Sequence, residues 1–301
     1  MISYQKLGTI DLDVVESNPI IFKGKPYLME YVRCRGEHGP SKTYHGNTLN
    51  QPYCRFLNLE DMKSYSAPLG IGYCFGNAWS DGDHIAVTVT DYWGGKGFYI
   101  LESDDMIHWS EVRPLYLNDN VHCYNSSMCK VGNKYINALE VGPRGGIVDC
   151  DDNYNIFVVS EDLKNWEILP EARFPEPRGW LFRHFENWYF FFALVGNYQK
   201  GFTTHIFRSR DLINWESSPQ NPIFQFDEAD RKIHPKASFT AEQLQDIAQS
   251  ININMSDVDM CNYNGKLLIS YSWGDQRGHE FLALAEAEGS EQELCFSCFE
   301  N

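Results

Sequence analysis

Apolar runs interrupted by a tight turn recur along this chain. In five stretches, two runs rich in β-branched and aromatic residues flank a short polar turn, which is the pattern of a β-hairpin. Glycine or asparagine stands at each turn, and both tolerate the positive φ that such turns require. The turn residues are Gly24, Gly82, Gly132, Asn187 and Gly265. Their spacings of 58, 50, 55 and 78 residues predict five units of similar construction.

A second repeat, S-x-D-[LM]-x-x-W, follows four of these hairpins. Three copies span residues 103–109, 160–166 and 209–215, and a degenerate copy at residues 59–65 has Tyr65 in place of the tryptophan. Each copy comes after an apolar run. Ser and Asp side chains can accept hydrogen bonds from the N–H groups of a turn, and the tryptophan offers a large apolar plate between neighbouring sheets. We therefore expect these residues to stabilise the fold and to take no part in chemistry.

Units of 50 to 60 residues have room for about four short strands each, which is the size of a propeller blade. The sequence thus predicts an all-β fold, a five-bladed β-propeller that occupies residues 1–301 as one domain. The long last spacing contains a segment that is not strand-like. Thr240 and Gln243 form a capping box at the start of a short helix. We predict a helical insertion over about 219–254, between blades four and five, long enough to lean over one face.

The two ends of the chain are less constrained by pattern. The C-terminal run ELCFSCFE, residues 293–300, is apolar enough to form the outer strand of blade five. Residues 1–12 either pair with the last blade or remain free.

Charge and cysteine usage limit the partners and the setting. The net charge of −16 disfavours nucleic acid and an anionic membrane surface as partners. Nine scattered cysteines indicate reduced thiols, and the N-terminus lacks the pattern of a signal peptide, so a cytoplasmic location is expected. We expect no cofactor and no metal, although a central structural cation would be compatible with a propeller. The oligomeric state stays open.

Candidate site residues follow from propeller geometry, because the inner strands line the axis and their first residues gather on one face. Asp257 and Asp259 alternate along one strand and are therefore expected to share a face. Hydrolysis of a glycosidic bond needs two carboxyl groups on either side of that bond. The catalytic candidates are Asp257, Asp259, Glu16, Glu176 and Glu140. The substrate-binding candidates are Asn18, Arg33, Trp79, Asn125, Arg178, Trp180, Trp273, Gln276 and Glu280.

The S-x-D-L-x-x-W motif repeated around five hairpins resembles the propeller glycoside hydrolases of the family 43 and family 32 type, with the family 130 mannoside phosphorylases as cousins. The resemblance implies a general base in the first blade, a general acid in the fourth and, by default, inversion of configuration. At the position of the base this chain has Asn18, before Pro19. The nearest acid in the fourth blade is Glu176, and the third blade has Asn125 where that family has an aspartate.

Three functions are compatible with these residues. The first is a glycoside hydrolase that acts on short oligosaccharides, with Asp257 or Asp259 as one member of the carboxyl pair and Glu16 or Glu176 as the other. The second is a glycoside phosphorylase, whose phosphate would be bound by Arg33, Arg178 or Arg183. The third is a carbohydrate-binding propeller without catalysis, which Asn18 at the usual base position would explain.

Overall fold

Antiparallel strands dominate the computed structural model, which describes residues 3–33, 49, 51–92, 94–144 and 152–300. Blade one contains β2 (Val14–Phe22), β3 (Lys25–Val32) and β4 (Tyr53–Asn58). Blade two contains β5 (Cys74–Ser80), β6 (Ile85–Thr90), β7 (Gly97–Ser103) and β8 (Arg113–Leu117). Blade three contains β9 (Val121–Val131), β10 (Lys134–Pro143), β11 (Tyr154–Ser160) and β12 (Glu167–Phe174).

Blades four and five belong to one continuous sheet, joined through the parallel pair Phe202–Asn254. Blade four contains β13 (Gly179–Phe185), β14 (Trp188–Asn197), β15 (Gly201–Ser209) and β16 (Glu216–Ser217). Blade five contains β17 (Asn254–Tyr263), β18 (Lys266–Gly274), β19 (Glu280–Glu288) and β1 (Tyr4–Leu12). The inner strands pack on one another in the closed order β2, β5, β9, β13, β17 and back to β2. The predicted five-bladed propeller is therefore confirmed.

The N-terminal strand closes the ring. β1 pairs antiparallel with β19, from Tyr4 opposite Ala287 to Leu12 opposite Phe281, and so supplies the outer strand of blade five. The prediction that residues 293–300 form this strand was wrong. Much of that run lies in the helix α2 (Glu291–Ser297), whose N-cap Ser290 accepts a hydrogen bond from the backbone N–H of Glu293.

The Ser and Asp of the repeated motif stabilise a turn, and its Trp packs between two blades, as predicted. In the blade-four copy, Ser209 Oγ accepts from the N–H of Leu212, and Asp211 Oδ1 accepts from the N–H of Asn214. Leu212 has a φ of 63°, which side chains other than glycine seldom adopt, and these bonds hold it there. The Trp215 ring then packs edge-on to Phe174 of blade three, at 5.1 Å between ring centroids. Each such tryptophan fills the wedge between its own blade and the preceding one.

The insertion contains a short 3-10 helix (Glu228–Arg231) and the helix α1 (Ala241–Gln249), which begins with the predicted capping box. The segment pairs with the outer edges of the sheet, where the N–H of Thr9 donates to the carbonyl of Lys232 and that of Thr204 to the carbonyl of Phe224. It therefore packs on the flank of blades four and five. Among the described residues no helix is long and apolar enough to cross a membrane.

Candidate functional site

A β-bulge interrupts the pairing of the inner strand with its neighbour in every blade. A bulge adds one residue to a strand and redirects the side chain at that point. Glu16, Phe75, Tyr124 and Asp257 lie at these bulges, and Arg178 directly precedes β13, in which the bulge falls at Trp180. Four of them have a positive φ, which is 46° at Glu16, 52° at Phe75, 57° at Arg178 and 50° at Asp257. We call Glu16, Phe75, Tyr124, Arg178 and Asp257 the bulge ring.

All five members of the bulge ring line one cavity at the mouth of the axial channel, with a volume of about 320 Å³. Four of the described lining residues are acids: Glu16, Glu140, Asp257 and Glu280. Three of the described lining residues are arginines: Arg33, Arg178 and Arg277. Phe75, Tyr124 and Trp180 add aromatic surface. A concave pocket in which aromatic rings and several charged groups converge is a candidate small-molecule site, so this mouth is the candidate active site.

Below this mouth the channel narrows to a waist of about 20 Å³. Ser17, Asn77, Ser126 and Asp259 line the waist together with members of the bulge ring. The inner strands then continue to a second cavity at the opposite mouth, of about 450 Å³. The first mouth and the second thus receive different residues of the same strands.

Asp257 is the acid that the bulge of β17 directs into the site. Burial raises the pKa of Asp257 to about 6, against the hydrogen bond that Ser256 Oγ donates to it at 2.8 Å. The negative charge of Glu140 adds to the increase. A carboxyl group with a pKa near 6 exchanges its proton close to neutral pH, which suits an acid or base catalyst.

Glu140 is held rigidly beside Asp257. Its Oε2 accepts from Asn125 Nδ2 at 2.9 Å, and its Oε1 accepts from Asn153 Nδ2 at 3.1 Å and from the backbone N–H of Arg178 at 2.9 Å. Burial raises the pKa of Glu140, while these donors oppose the increase. Since all three are N–H donors, they orient the carboxylate form and keep it in place.

Glu280 and Arg33 form a second charged group in the cavity. Arg33 Nη1 lies 3.8 Å from Glu280 Oε2, and Nη2 of the same guanidinium pairs with Asp13. Burial raises the pKa of Glu280 to about 7 although Arg33 opposes the change. Glu16, from the bulge of β2, lies close enough to raise the pKa of Arg33 together with Asp13 and Glu280, against the effect of burial. Arg33 is thus surrounded by acids.

The structure separates Asp257 from Asp259, which the alternation of side chains had placed on one face. The bulge lies between Ser256 and Asp259 in the pairing of β17 with β18, so the period of two is broken there. Asp259 lies at the waist and forms an ion pair of 2.7 Å with Arg183 Nη2, whose Nε bonds to Glu291 Oε2 at 2.6 Å. Burial raises the pKa of Asp259 to about 6 despite Arg183. Its partner Arg183 and Glu291 line the opposite mouth.

Four other predicted site residues lie outside the described lining of the candidate site. Glu176 is exposed in the loop before β13. The amide of Asn18 bonds to both the N–H and the carbonyl of Ala78, at 2.9 and 2.7 Å, and so links blade one to blade two at the opposite mouth. Trp79 lines that opposite mouth too. Trp273 is fully buried, where it stacks on Phe281 with ring centroids 4.3 Å apart. These placements correct the prediction for each of the four residues.

The remaining predicted residues do meet at the candidate site. These are Glu16, Arg33, Asn125, Glu140, Arg178, Trp180, Asp257, Gln276 and Glu280. Sequence reasoning missed Phe75, Tyr124 and Arg277. A stepwise alignment of the five inner strands would have found Phe75 and Tyr124, because they occupy the positions of Glu16 and Asp257 in their own blades. In the described part of the chain, no group of three or more His, Cys, Asp or Glu side chains is arranged to hold a metal ion.

Comparisons with known proteins find similarity in structure and not in sequence. The sequence matches no protein family profile and no curated protein. The fold is similar to that of an N-acetylgalactosamine deacetylase from F. plautii in complex with blood group B trisaccharide, with a TM-score of 0.60 and 11% identity over 98% of each chain. It is also similar to an α-L-arabinofuranosidase from Podospora anserina in complex with cellotriose, with a TM-score of 0.59 and 8% identity over 95% of this chain and 92% of the other.

The catalytic domain of a family 62 α-L-arabinofuranosidase from Coprinopsis cinerea gives a TM-score of 0.57 with 12% identity, over 95% of this chain and 92% of the other. At such low identities the similarity establishes the fold and leaves the reaction to be tested. The chain therefore has the five-bladed propeller fold that is found in glycoside hydrolases of the family 43 type.

Proposed function

We propose that this protein is a glycoside hydrolase that acts on short oligosaccharides or glycosides at the mouth formed by the bulge ring. The observation that carries the proposal is the half-buried Asp257, with its pKa raised to about 6, in the same cavity as Glu140. Glycoside hydrolysis by acid and base catalysis requires two carboxyl groups, and their different surroundings decide which one is the acid and which one the base.

In this proposal Asp257 is the general acid and Glu140 is the general base. Asp257 donates its proton to the oxygen of the leaving group, because its raised pKa keeps it protonated up to about pH 6. Glu140 keeps lone pairs available beside its three N–H donors, so it can accept a proton from an attacking water. Trp180 is 6% exposed and its Nε1 donates to the carbonyl of Val258 at 2.8 Å, so the small part of its ring that lines the cavity is what a sugar can contact.

The alternatives receive less support from the site. A phosphorylase needs cations for phosphate. Of the three predicted arginines, Arg33 pairs with Asp13 and Glu280 and Arg183 lies at the opposite mouth, which leaves Arg178 in a cavity that also contains four acids. The case for a non-catalytic binding protein rested on Asn18, which takes a structural role between two blades. Asn18 cannot act as a general base, but Asp257 and Glu140 supply two carboxyl groups in the cavity.

A turnover screen of the purified protein tests the proposal. The panel is a set of aryl glycosides and short oligosaccharides that includes arabinofuranosides, xylosides, galactosides, fucosides and uronides, each with and without inorganic phosphate. We expect release of sugar without phosphate. Turnover that needs phosphate would make the protein a phosphorylase, and silence across the panel together with thermal stabilisation by a sugar would make it a binding protein.

A further inference from the structure

Two arginines of the cavity are held by aromatic rings. The Cζ of Arg178 lies 5.6 Å from the ring centroid of Phe202, and the Cζ of Arg277 lies 4.4 Å from that of Tyr198. The two rings touch edge to face, with 5.1 Å between their centroids. Both guanidinium groups therefore belong to one unit, which we call the arginine–aromatic cluster (Arg178, Tyr198, Phe202 and Arg277).

The backbone around the cluster is also fixed. The N–H of Arg178 donates to Glu140 Oε1 at 2.9 Å, and its carbonyl accepts from the N–H of Leu194 at 3.1 Å. Tyr198 Oη donates to the carbonyl of Gln276 at 3.2 Å, beside Arg277. Phe202 is 2% exposed and therefore gives Arg178 a rigid support. Such support reduces the entropy that an arginine loses when it binds a ligand.

A guanidinium that lies against a ring keeps N–H donors along its edge, in a geometry that matches a planar carboxylate. Arg178 is the cationic member of the bulge ring and stands in the blade next to that of Asp257. The cluster thus places positive charge in the same cavity as the proposed catalytic pair. An anionic group on a sugar would gain from this charge in a protein that otherwise repels anions, with its net charge of −16.

We propose that the arginine–aromatic cluster binds the carboxylate of a uronic acid, so that the preferred substrate is an acidic glycoside. This inference rests on the proposed function and specifies its substrate class. A carboxylate carries one negative charge, whereas phosphate carries nearly two at neutral pH and would be repelled more strongly by Glu16, Glu140, Asp257 and Glu280. The carboxylate is therefore the anion that suits this cavity.

Free monosaccharides test the inference without any need for turnover. Isothermal titration calorimetry at pH 7 compares D-galacturonate with D-galactose and D-glucuronate with D-glucose, with inorganic phosphate as a further ligand. We expect at least one uronate to bind roughly tenfold or more tightly than its neutral partner, as a charge-assisted pair would give. Equal binding within each pair, no binding of either uronate at millimolar concentration, or tighter binding of phosphate would contradict the inference.

Arginine variants identify the cluster as the source of the preference. Arg178→Gln is expected to lower the affinity for the uronate by roughly tenfold or more, so that the ratio of uronate to neutral-sugar affinity falls toward one. Arg277→Gln is a second test if Arg178→Gln fails to fold. The matched control is Arg210→Gln, because Arg210 is exposed and lies 4.3 Å over the Trp188 ring, outside the described lining of the cavity. A preference that survives both cluster variants would overturn the inference.

The two proposals fail in different ways. A protein that hydrolyses neutral glycosides without preferring uronates keeps the proposed function and loses this inference. A protein that binds uronates through Arg178 but hydrolyses nothing in the panel keeps the acidic-sugar site and loses the hydrolase.

Discussion

Asp257 shows how one backbone irregularity decides which side chains form a site. Alternation along Ser256–Asp259 predicts that both aspartates face the same way. The bulge breaks that alternation, so Asp257 reaches the open mouth as well as the waist, whereas Asp259 lies at the waist outside the described lining of the mouth. A bulge has no fixed sequence signature when the residue at positive φ is not glycine. The residue types of the site could therefore be predicted, but their partition between the two mouths could not.

Removal of the Asp257 charge should stabilise the protein at neutral pH. Between the ordinary pKa of 3.8 and the folded value of about 6, the folded state binds more protons than the unfolded state. Stability therefore falls as pH rises through this window and remains low above it. We expect Asp257→Asn to exceed wild type in free energy of unfolding by about 1–3 kcal/mol at pH 7 and by little at pH 4. Urea denaturation at both values measures this difference.

The opposite order, with the variant less stable than wild type at pH 7, would contradict the raised pKa of Asp257. Asp83→Asn is a suitable control, because Asp83 is exposed in the turn between β5 and β6, outside the described lining of the cavity. Its stability difference from wild type should not follow the pH window of Asp257.

The pH dependence of turnover should report the same group. A general acid must be protonated, so we expect kcat/KM to decline as pH rises through about 6, the pKa of Asp257. Steady-state rates on the best substrate of the screen, measured across the pH range, test this. An activity that is constant from pH 5 to pH 8 would exclude Asp257 as the acid.

At the scale of the element, the sequence predicted the structure wherever a few neighbouring residues are enough to define a turn or a helix start. The hairpin turns, the S-x-D-[LM]-x-x-W turns and the helix α1 were all predicted from patterns of a few residues. The same kind of pattern was overlooked at α2, where Ser290 and Glu293 form a capping box. The apolar run after it reads equally well as a short strand, because five or six apolar residues do not distinguish the two by period.

The motif tryptophans should contribute stability in proportion to their burial between blades. Trp215→Ala removes a ring packed on Phe174 and Phe157, and we expect a loss near the lower end of the roughly 3–5 kcal/mol that such substitutions cost, since the ring is half-buried. Tyr65→Ala should cost less, because Tyr65 is 45% exposed and packs mainly on Arg55. Thermal unfolding of the two variants shows which of them loses more stability. A larger loss for Tyr65→Ala than for Trp215→Ala would refute the role of the motif tryptophan in packing between blades.

At the scale of the whole molecule, ring closure depends on contacts between the two ends of the chain. β1 pairs with β19 across 269 residues at Leu12–Phe281 and 283 residues at Tyr4–Ala287, and local patterns in residues 1–12 contain no information about that partner. Buried contacts then anchor β1 to its surroundings. Trp273 Nε1 donates to Thr9 Oγ1 at 2.9 Å, and Lys6 Nζ lies 2.7 Å from Asp230 Oδ1. The closure could be known only from the structure.

Breaking the Lys6–Asp230 pair should destabilise the closed ring. Asp230 is fully buried and Lys6 is 8% exposed, so Lys6→Met leaves a buried carboxylate without its cation. We expect a loss of about 3–5 kcal/mol in the free energy of unfolding. Lys164→Met, at an exposed position in a motif turn, is the matched control and should change stability little. Equal stability of the two variants would show that the pair does not hold β1.

The proposed hydrolysis of a glycosidic bond in the bulge-ring cavity requires Asp257 as an essential group. The most direct test compares kcat of wild type, Asp257→Asn and Glu176→Gln on the best substrate of the screen. We expect a loss of about 100-fold or more for Asp257→Asn, as removal of a general acid gives, and a rate close to wild type for Glu176→Gln, because Glu176 is exposed. Activity that survives in Asp257→Asn but is lost in Glu176→Gln would contradict the account and place the acid outside this cavity.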